Sequence, residues 1–237
     1  SFQLFNQSGG GWPLTMFLDE NAIPFMAGTY FPKTPSHNLS SFKEVILKVG
    51  ETYKQHREEI IKQSPIISKS LELKKSSVLN QDLENILQNI ITNLDKEKGG
   101  YKGAPKFPIF NIYDTLLYFF TKTKKLEYLR PVELILKQLC SQGIYDQVEG
   151  GLSRYTVDEN WLIPHFEKML YDNSQFILLA SKFLGINKNT YFEKKIIQTI
   201  EFMNKSFLNS KYNLLGSAYD ADSDGEEGKY YVFDYNE

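Results

Sequence analysis

The sequence predicts an α+β protein in which a short β-hairpin and a helix precede a long, almost wholly helical region. Two apolar runs, residues 14–19 and 24–31, are separated by a few turn residues, a pattern typical of an antiparallel hairpin. From Gln81 onward, apolar residues recur at helical spacing through several successive segments. We therefore expect a strand-containing part, residues 1–63, a connecting segment, residues 64–80, and a helical part, residues 81–237.

The first part contains Pro13 at the mouth of its first predicted strand. Proline has no N–H to donate to a sheet, which confines it to a strand end or edge. Ser41 and Glu44 have the spacing of a capping box, so a helix is expected to begin there. Strand, strand and helix after a Trp-Pro bend predict the second half of a thioredoxin-like sheet. Two strands and one helix cannot close a core, so we expect an internal fragment of a longer protein.

The connecting segment, residues 64–80, is rich in Ser and Lys and shows little periodicity, which favours a linker or a docking segment. In the helical part, Gly99-Gly100 and Gly150-Gly151 begin two long loops, and residues 214–234 have a similar composition. Each loop follows helices, as in an array of helical hairpins that carries its long loops on one face. Function is expected on such loops.

The bulk composition excludes several classes of function. A net charge of -2 and a pI near 6.0 give no electrostatic reason to expect nucleic acid or an anionic membrane surface as a partner. Apolar runs fall far short of the roughly 18 residues that span a bilayer. Cys140 is the single cysteine, and the histidines lack a zinc-binding spacing. We expect a cytoplasmic protein without a metal or a cofactor; its oligomeric state is not predicted.

The segment 145–173 carries the densest set of reactive side chains. If Pro164 begins a helix, His165, Lys168 and Asp172 lie on one face of it. Carboxylates with a histidine and aromatic rings suit carbohydrate chemistry, since one carboxyl donates a proton, another activates water or stabilises charge, and rings stack on sugars. The alternative is that these polar side chains form a structural network.

The acidic stretch 219–228 partly matches a calcium-binding loop. Asp220, Asp222 and Asp224 occupy the first ligand positions, but Tyr231 stands where the closing glutamate is required. We therefore expect either an acidic loop that donates carboxylates to a cleft or a solvated acidic turn. The stretch "GAPKFP" predicts a rigid loop, and its Lys106 is a candidate contact for an anionic ligand.

The candidate residues fall into two groups. Predicted acids, bases and proton shuttles are Asp146, Asp158, His165, Glu167, Asp172, Asp220 and Asp222. Predicted ligand-binding residues are Lys106, Arg154, Tyr155, Trp161 and Tyr171. Within these groups the carboxylates act as acid and base, His165 shuttles a proton and Trp161 is a stacking platform.

Four stretches together resemble the spermatogenesis-associated protein 20 family: "GGWPLTMFLDENAIPFMAGTYFP", "GAPKFP", "GGLSRYTVDENWLIPHFEKMLYDN" and "DADSDGEEGKYYVF". The resemblance implies a thioredoxin-like domain fused to an (α/α)6 toroid similar to six-hairpin glycosidases and N-acylglucosamine 2-epimerases. It also implies that Trp12-Pro13 is the cis-proline bond of the thioredoxin fold. The family's cysteine motif lies upstream of this segment, and no CxxC occurs in this sequence.

Three functional hypotheses follow. In the first, the toroid binds or processes a carbohydrate-type small molecule; if it is an enzyme, a hydrolase or epimerase-like activity is expected. In the second, the protein is a thiol-redox or protein-handling module, with the dithiol upstream and the toroid as a scaffold. The third is an inactive interaction protein built on both folds.

Overall fold

The computed structural model describes residues 13–36, 38–72 and 82–233. The chain divides into two compact units, residues 1–79 and 80–237. The predicted cis bond of Trp12-Pro13 lies outside the described residues, because Trp12 is not among them.

The first unit contains the predicted hairpin. Strands β1 (Thr15–Leu18) and β2 (Pro24–Gly28) pair antiparallel. Asp19 closes the turn, since its carboxylate accepts the N–H groups of Asn21 and Ile23 at 2.8 and 2.9 Å. The hairpin prediction is therefore confirmed.

Two helices follow the hairpin, α1 (Phe42–Gln55) and α2 (Arg57–Leu71). The predicted capping box of Ser41 and Glu44 is confirmed by hydrogen bonds in both directions. The prediction that a linker begins at residue 64 is wrong for residues 64–71, which complete α2. The Ser64 hydroxyl donates to Asp19 at 2.6 Å, and this buried bond ties the helix to the hairpin. The rest of that segment, residues 73–81, lies outside the described residues.

The second unit is built from α3 (Leu83–Asn93), α4 (Phe110–Thr123), α5 (Leu126–Ser141), α6 (Leu170–Leu184) and α7 (Thr190–Phe202). Helix α4 packs against α5, α6 packs against α7, and α4 also packs against α6. A single core joins these helices through buried apolar side chains that include Leu87, Tyr113, Leu116, Ile135, Leu139, Phe176, Phe183 and Phe192. In the described part of the chain, no helix is both long and apolar enough to cross a membrane.

Helix α7 passes into a π-helical turn, Met203–Phe207, and short strands form the loops. These strands are β3 (Tyr155–Thr156), β4 (Pro164–His165), β5 (Lys168–Met169), β6 (Leu208–Asn209), β7 (Leu214–Leu215), β8 (Ala218–Tyr219), β9 (Asp222–Ser223) and β10 (Glu226–Glu227). They pair antiparallel as β3–β4, β5–β8, β6–β7 and β9–β10. The β5–β8 pair therefore joins the loop before α6 to the loop after the π-helical turn.

The expectation that Pro164 begins a helix is wrong. Pro164 lies in β4 opposite Thr156, and α6 begins only at Leu170. The reason is the turn between β3 and β4, where the Asp158 carboxylate accepts backbone N–H groups of Asn160, Leu162 and Ile163. Because this turn holds the chain extended, His165, Lys168 and Asp172 do not share a helix face.

The two glycine-pair loops have the same backbone design. In the first, Asp95 N–H donates to Gly100 at 2.7 Å and Gly99 N–H donates to Asp95 at 3.0 Å. The corresponding bonds in the second join Asp146 to Gly151 and Gly150, each at 3.0 Å. All four glycines have positive φ between 67° and 91°, a region that L side chains rarely adopt. The similarity predicted from the glycine pairs is confirmed as one repeated corner, Asp-x3-Gly-Gly.

Candidate functional site

The loop between α5 and α6 brings several of the predicted side chains together. Arg154 Nη1 donates to Glu167 Oε2 at 2.8 Å, and the Arg154 N–H donates to the Glu167 carbonyl, also at 2.8 Å. Tyr155 faces His165 across the β3–β4 pair. Asp172 follows in the first turn of α6. We call Arg154, Tyr155, His165, Glu167 and Asp172 the Arg154–Asp172 cluster.

His165 lies between two carboxylates. Its Nδ1 is 2.6 Å from Glu227 Oε1, and its Nε2 is 3.8 Å from Glu167 Oε2. The imidazole also stacks on Tyr155 at 4.8 Å between ring centroids, and Tyr155 stacks on Phe107 at 4.7 Å. Histidine is the side chain that most readily exchanges a proton near neutral pH. The cluster therefore places a proton-exchanging group at one end of a stack of aromatic rings.

Asp172 is the exceptional carboxyl of the cluster. It is only 6% exposed, and its Oδ2 has no hydrogen-bond partner among the described residues. Burial raises the pKa of Asp172 to about 7; the Arg154 guanidinium opposes this shift, and the Glu167 carboxylate adds to it. Arg154 Nε is likewise buried without a partner in the described part of the chain. Unpaired buried polar atoms are rare and cost about 1–3 kcal/mol each, so this donor and this acceptor need an explanation.

A separate cavity of about 250 Å³ lies beside the π-helical turn. Its wall contains Glu149, Phe202, Lys205, Ser206, Tyr219, Asp220, Ser223, Tyr230 and Tyr231. We call it the third-loop cavity, because β8, β9 and the residues after β10 supply much of its lining. Of the predicted site residues it contains Asp220; the neighbouring Asp222 donates its backbone N–H to the Asp220 carboxylate at 3.3 Å and does not line the cavity.

Other predicted residues have structural partners instead. Asp146 Oδ2 accepts from the buried Lys168 ammonium at 2.8 Å, and its Oδ1 accepts the N–H groups of Val148 and Glu149. Burial acts to raise the pKa of Asp146, but these hydrogen bonds and the Lys168 charge outweigh it and hold the pKa below its ordinary value. Asp146 therefore fixes a glycine corner and is saturated by its partners.

The first glycine corner uses Lys106 in the corresponding way. Its ammonium is 3.1 Å from Asp95 and donates to the Glu159 carbonyl at 3.1 Å. The Lys106 side chain is 1% exposed, so it cannot contact an anionic ligand as expected from the sequence.

Trp161 and Asp158 also have structural roles. Trp161 is fully buried, and its Nε1 donates to the Lys98 carbonyl at 2.7 Å, so no ring face is available as a stacking platform. Burial acts to raise the pKa of Asp158, but its three backbone donors lower it overall. Asp158 is thus a turn-capping carboxylate. Tyr171 differs from both, since it lies exposed beside Asp172.

Several residues of the two sites were not predicted from the sequence. Phe107 ends the ring stack, Glu227 contacts His165, and Glu149, Lys205 and Tyr230 line the cavity. Glu227 is 62 positions from His165, and no periodicity links the two. The clustering of acids and tyrosines in "DGEEGKYY" was the available signal for this loop.

The described residues contain no group of three or more His, Cys, Asp or Glu side chains that could hold a metal ion. Cys140 is buried, and burial raises the pKa of its thiol to about 12. A thiol with so high a pKa is a poor nucleophile at neutral pH. Cys140 therefore belongs to the core.

Comparison with known proteins finds similarity to a family model and to a solved structure. Residues 1–72 match the family model Thioredox_DsbH, described as a protein of unknown function, DUF255. A solved structure of cellobiose 2-epimerase from Bacillus thermoamylovorans has a TM-score of 0.50 and 17% identity, covering 62% of this chain and 44% of that one. At this identity the likeness concerns the fold alone.

The curated relatives extend over the whole chain. Spermatogenesis-associated protein 20 of Homo sapiens is 30% identical, covering 100% of this chain and 32% of that protein. The Rattus norvegicus protein is 29% identical, covering 96% and 30%. The chain thus spans about a third of the length of the curated relatives it matches. These comparisons confirm the resemblance that the four motif stretches predicted: over its whole length the chain is similar to the spermatogenesis-associated protein 20 family.

Proposed function

We propose that the helical unit is part of an (α/α)6 toroid that binds a carbohydrate-type ligand at the Arg154–Asp172 cluster. In this proposal the part of the chain that ends with α2 is the C-terminal half of a thioredoxin-like domain, and residues 81–237 form the toroid part. The match of residues 1–72 to the thioredoxin-like family model and the fold shared with a sugar epimerase support this arrangement.

The pair of unsatisfied buried atoms carries the proposal. Asp172 Oδ2 needs a donor, and Arg154 Nε needs an acceptor. A hydroxyl group donates one hydrogen bond and accepts others, so the hydroxyls of a sugar can supply both the donor and the acceptor that these atoms lack. The exposed Tyr171 lies beside Asp172 and lowers its pKa against the larger effect of burial.

The surroundings of this pair suit a sugar ring. Phe107, at the end of the stack, is 41% exposed, so it offers an aromatic surface to the C–H face of a sugar. A carboxyl with a pKa of about 7 is present in both protonation states near neutral pH, the condition for general acid–base catalysis. In a reaction of the hydrolase or epimerase type, Asp172 and His165 would transfer the protons.

Calorimetric titration of the full-length protein with neutral mono- and disaccharides tests this proposal. Replacing Asp172 by Leu removes the acceptor, and replacing Arg154 by Lys keeps the charge beside Glu167 but removes the Nε donor. We expect each change to weaken binding about tenfold or more, because a buried hydrogen bond to a charged group is lost.

Asp114→Asn is the matched control, since the half-exposed Asp114 of α4 pairs with the exposed Lys182. It should leave sugar binding unchanged. Melting curves verify that each variant is folded, and Asp172→Ala, which also removes the acceptor, replaces the leucine variant if that one is not. Equal sugar affinity in the wild type and in both cluster variants would contradict the proposal.

The second candidate function is thiol-redox chemistry in the longer protein, favoured by the family model that matches residues 1–72. Cys140 cannot serve, because it is buried in the helical unit with a raised pKa. A melting temperature of the full-length protein that responds to a thiol reductant and not to sugars would favour this alternative.

A further inference from the structure

The third-loop cavity contains a lysine ammonium seated on a carboxylate. Lys205 Nζ lies 2.7 Å from Glu149 Oε1, and this contact is the main reason that the pKa of Glu149 is lowered. The Lys205 side chain is 71% exposed, whereas the Glu149 side chain is 26% exposed. The carboxylate is therefore fixed in the wall while the ammonium that covers it is free to leave. Exposed ion pairs of this kind contribute only about 0–1 kcal/mol.

Aromatic rings surround the same carboxylate. Phe202, Tyr219, Tyr230 and Tyr231 line the cavity, and Tyr230 lies close enough to Glu149 to help lower the pKa of that carboxyl after Lys205. Phe202 and Tyr231 already hold the ammonium of Lys168, whose Nζ lies 4.3 and 4.9 Å from their ring centroids. Aromatic faces attract cations through their quadrupole. These rings thus supply a wall that suits a positively charged group.

Lys168 is paired with Asp146 behind these rings, and the unpaired charges that line the cavity or lie next to it are negative. Asp220 lines the cavity and has no ion pair within the described ranges. The adjacent loop adds Asp222 and Glu226, which also have none among the residues described, whereas Asp224 pairs with Lys229. When Lys205 leaves, Glu149 and Asp220 face the cavity with no cation of their own. An anionic ligand is disfavoured there, and a cation is attracted.

We propose that the third-loop cavity is a binding site for a small ligand that carries a primary ammonium group, and that Lys205 occupies the site when the ligand is absent. The ligand ammonium replaces that of Lys205 on Glu149, with Asp220 as the second carboxylate and the tyrosines as walls. This site is separate from the Arg154–Asp172 cluster and does not depend on the binding of a sugar there. A free aliphatic amine and a lysine side chain of another protein share the required chemistry.

The experiment titrates the full-length protein with n-butylamine, with its neutral counterpart 1-butanol, and with Nα-acetyl-lysine N-methylamide, which represents a lysine within a protein. We expect the two cations to bind and 1-butanol to bind at least tenfold more weakly, because only a cation gains the charge-assisted hydrogen bond. Tighter binding of n-butylamine indicates a free amine as the ligand, and tighter binding of the lysine derivative indicates a protein side chain. Equal binding of 1-butanol and n-butylamine would overturn the proposal.

Variants give an independent test. Lys205→Met removes the internal competitor, so amine affinity should rise about two- to fivefold, the equivalent of an exposed ion pair. Glu149→Gln should lower it roughly tenfold. Asp224→Asn makes the same charge change in the turn between β9 and β10, outside the cavity lining, and should change the affinity less than twofold.

Unchanged or weaker amine binding in Lys205→Met would overturn the role of Lys205 as a stand-in for the ligand. An equal loss of affinity in Glu149→Gln and Asp224→Asn would reduce the effect to general surface charge and overturn the site. Asp172→Leu separates the two proposals, since it should weaken sugar binding about tenfold or more and leave amine binding intact.

Discussion

Asp146 and Asp172 lie in one stretch of the chain, and the structure gives them opposite environments. Asp146 accepts hydrogen bonds from two backbone N–H groups and from the Lys168 ammonium, and its pKa is lowered although burial acts in the other direction. Asp172 is more buried, has an oxygen without a partner among the described residues, and has a pKa raised to about 7. Burial acts on both carboxyls, so the difference comes from the partners that each one has.

This comparison separates a structural carboxylate from a candidate functional one. The Asp146 carboxylate has hydrogen-bond donors from the backbone and an ion pair with Lys168. This ion pair stabilises the second glycine corner, as the Asp95–Lys106 pair does in the first. At Asp172 the fold leaves one acceptor without a partner among the described residues, and Arg154 of the same cluster has one such donor. The residue type is the same, and the satisfied or unsatisfied hydrogen bonds distinguish the two carboxyls.

Breaking the satisfied pair should have the largest effect. Lys168→Met leaves the Asp146 charge in a buried corner without its cation, and removing one partner of a buried pair typically costs about 3–5 kcal/mol. Denaturant unfolding should show a loss of stability in that range. Lys205→Met, which breaks an ion pair whose lysine is 71% exposed, should cost less than about 1 kcal/mol. Similar losses in both variants would contradict the structural role of the buried pair.

The pH dependence of stability should distinguish the two carboxyls next. The folded state keeps a proton on Asp172 up to a pKa of about 7, whereas the unfolded chain releases it near 3.8. The contribution that protonated Asp172 makes to the free energy of unfolding is therefore fully present below about pH 4 and is lost as the pH rises through 7. The difference between the two pKa values corresponds to a change of at most about 4 kcal/mol in the free energy of unfolding.

Denaturant unfolding between pH 4 and 8 measures this effect in the wild type and in Asp172→Asn. The difference in stability should shift in favour of the variant as the pH rises, because the variant has no charge to bury. A pH-independent difference between the two proteins would show that Asp172 titrates normally. Asp146 should act in the opposite sense, with its contribution lost only as the pH falls below 3.8.

A smaller effect than that of the Lys168 change is expected for Asp158→Asn. An asparagine keeps one accepting oxygen, so only part of the backbone capping by Asp158 is lost. A loss of about 1–2 kcal/mol in the free energy of unfolding follows from hydrogen bonds to a charged group. Sugar binding should be retained, because Asp158 caps a turn. Loss of sugar binding in a folded Asp158→Asn protein would show that Asp158 belongs to the binding site.

Local signals in the sequence predicted much of the fold. Turn residues between two apolar runs predicted the hairpin, Ser41 and Glu44 predicted the start of α1, and periodic apolar residues predicted the helical region. The glycine pairs predicted two similar loops, which the structure shows as one repeated corner. Each of these signals acts over a few residues, so it is visible in the order of amino acids.

The candidate site was harder to predict, because several residue types in it serve two purposes. Trp161, Asp158, Lys106 and Asp146 all have chemistry suited to a ligand, and all are used by the fold. The helix expected at Pro164 is a strand, because the Asp158 turn directs the chain into a hairpin. Proline is compatible with a helix start and with an edge strand, so its presence alone could not decide between them.

The sequence by itself determined the hairpin, the helical region, the family resemblance and the dense polar segment 145–173, because those features depend on neighbours along the chain. The tertiary structure decided which polar groups are satisfied: that Lys168 reaches Asp146, that Glu227 reaches His165, and that Asp172 and Arg154 keep unpaired atoms. The physical reason is that the pairing of a buried polar group depends on contacts between residues far apart in the chain, and in a low-dielectric interior that pairing sets both the pKa and the stability.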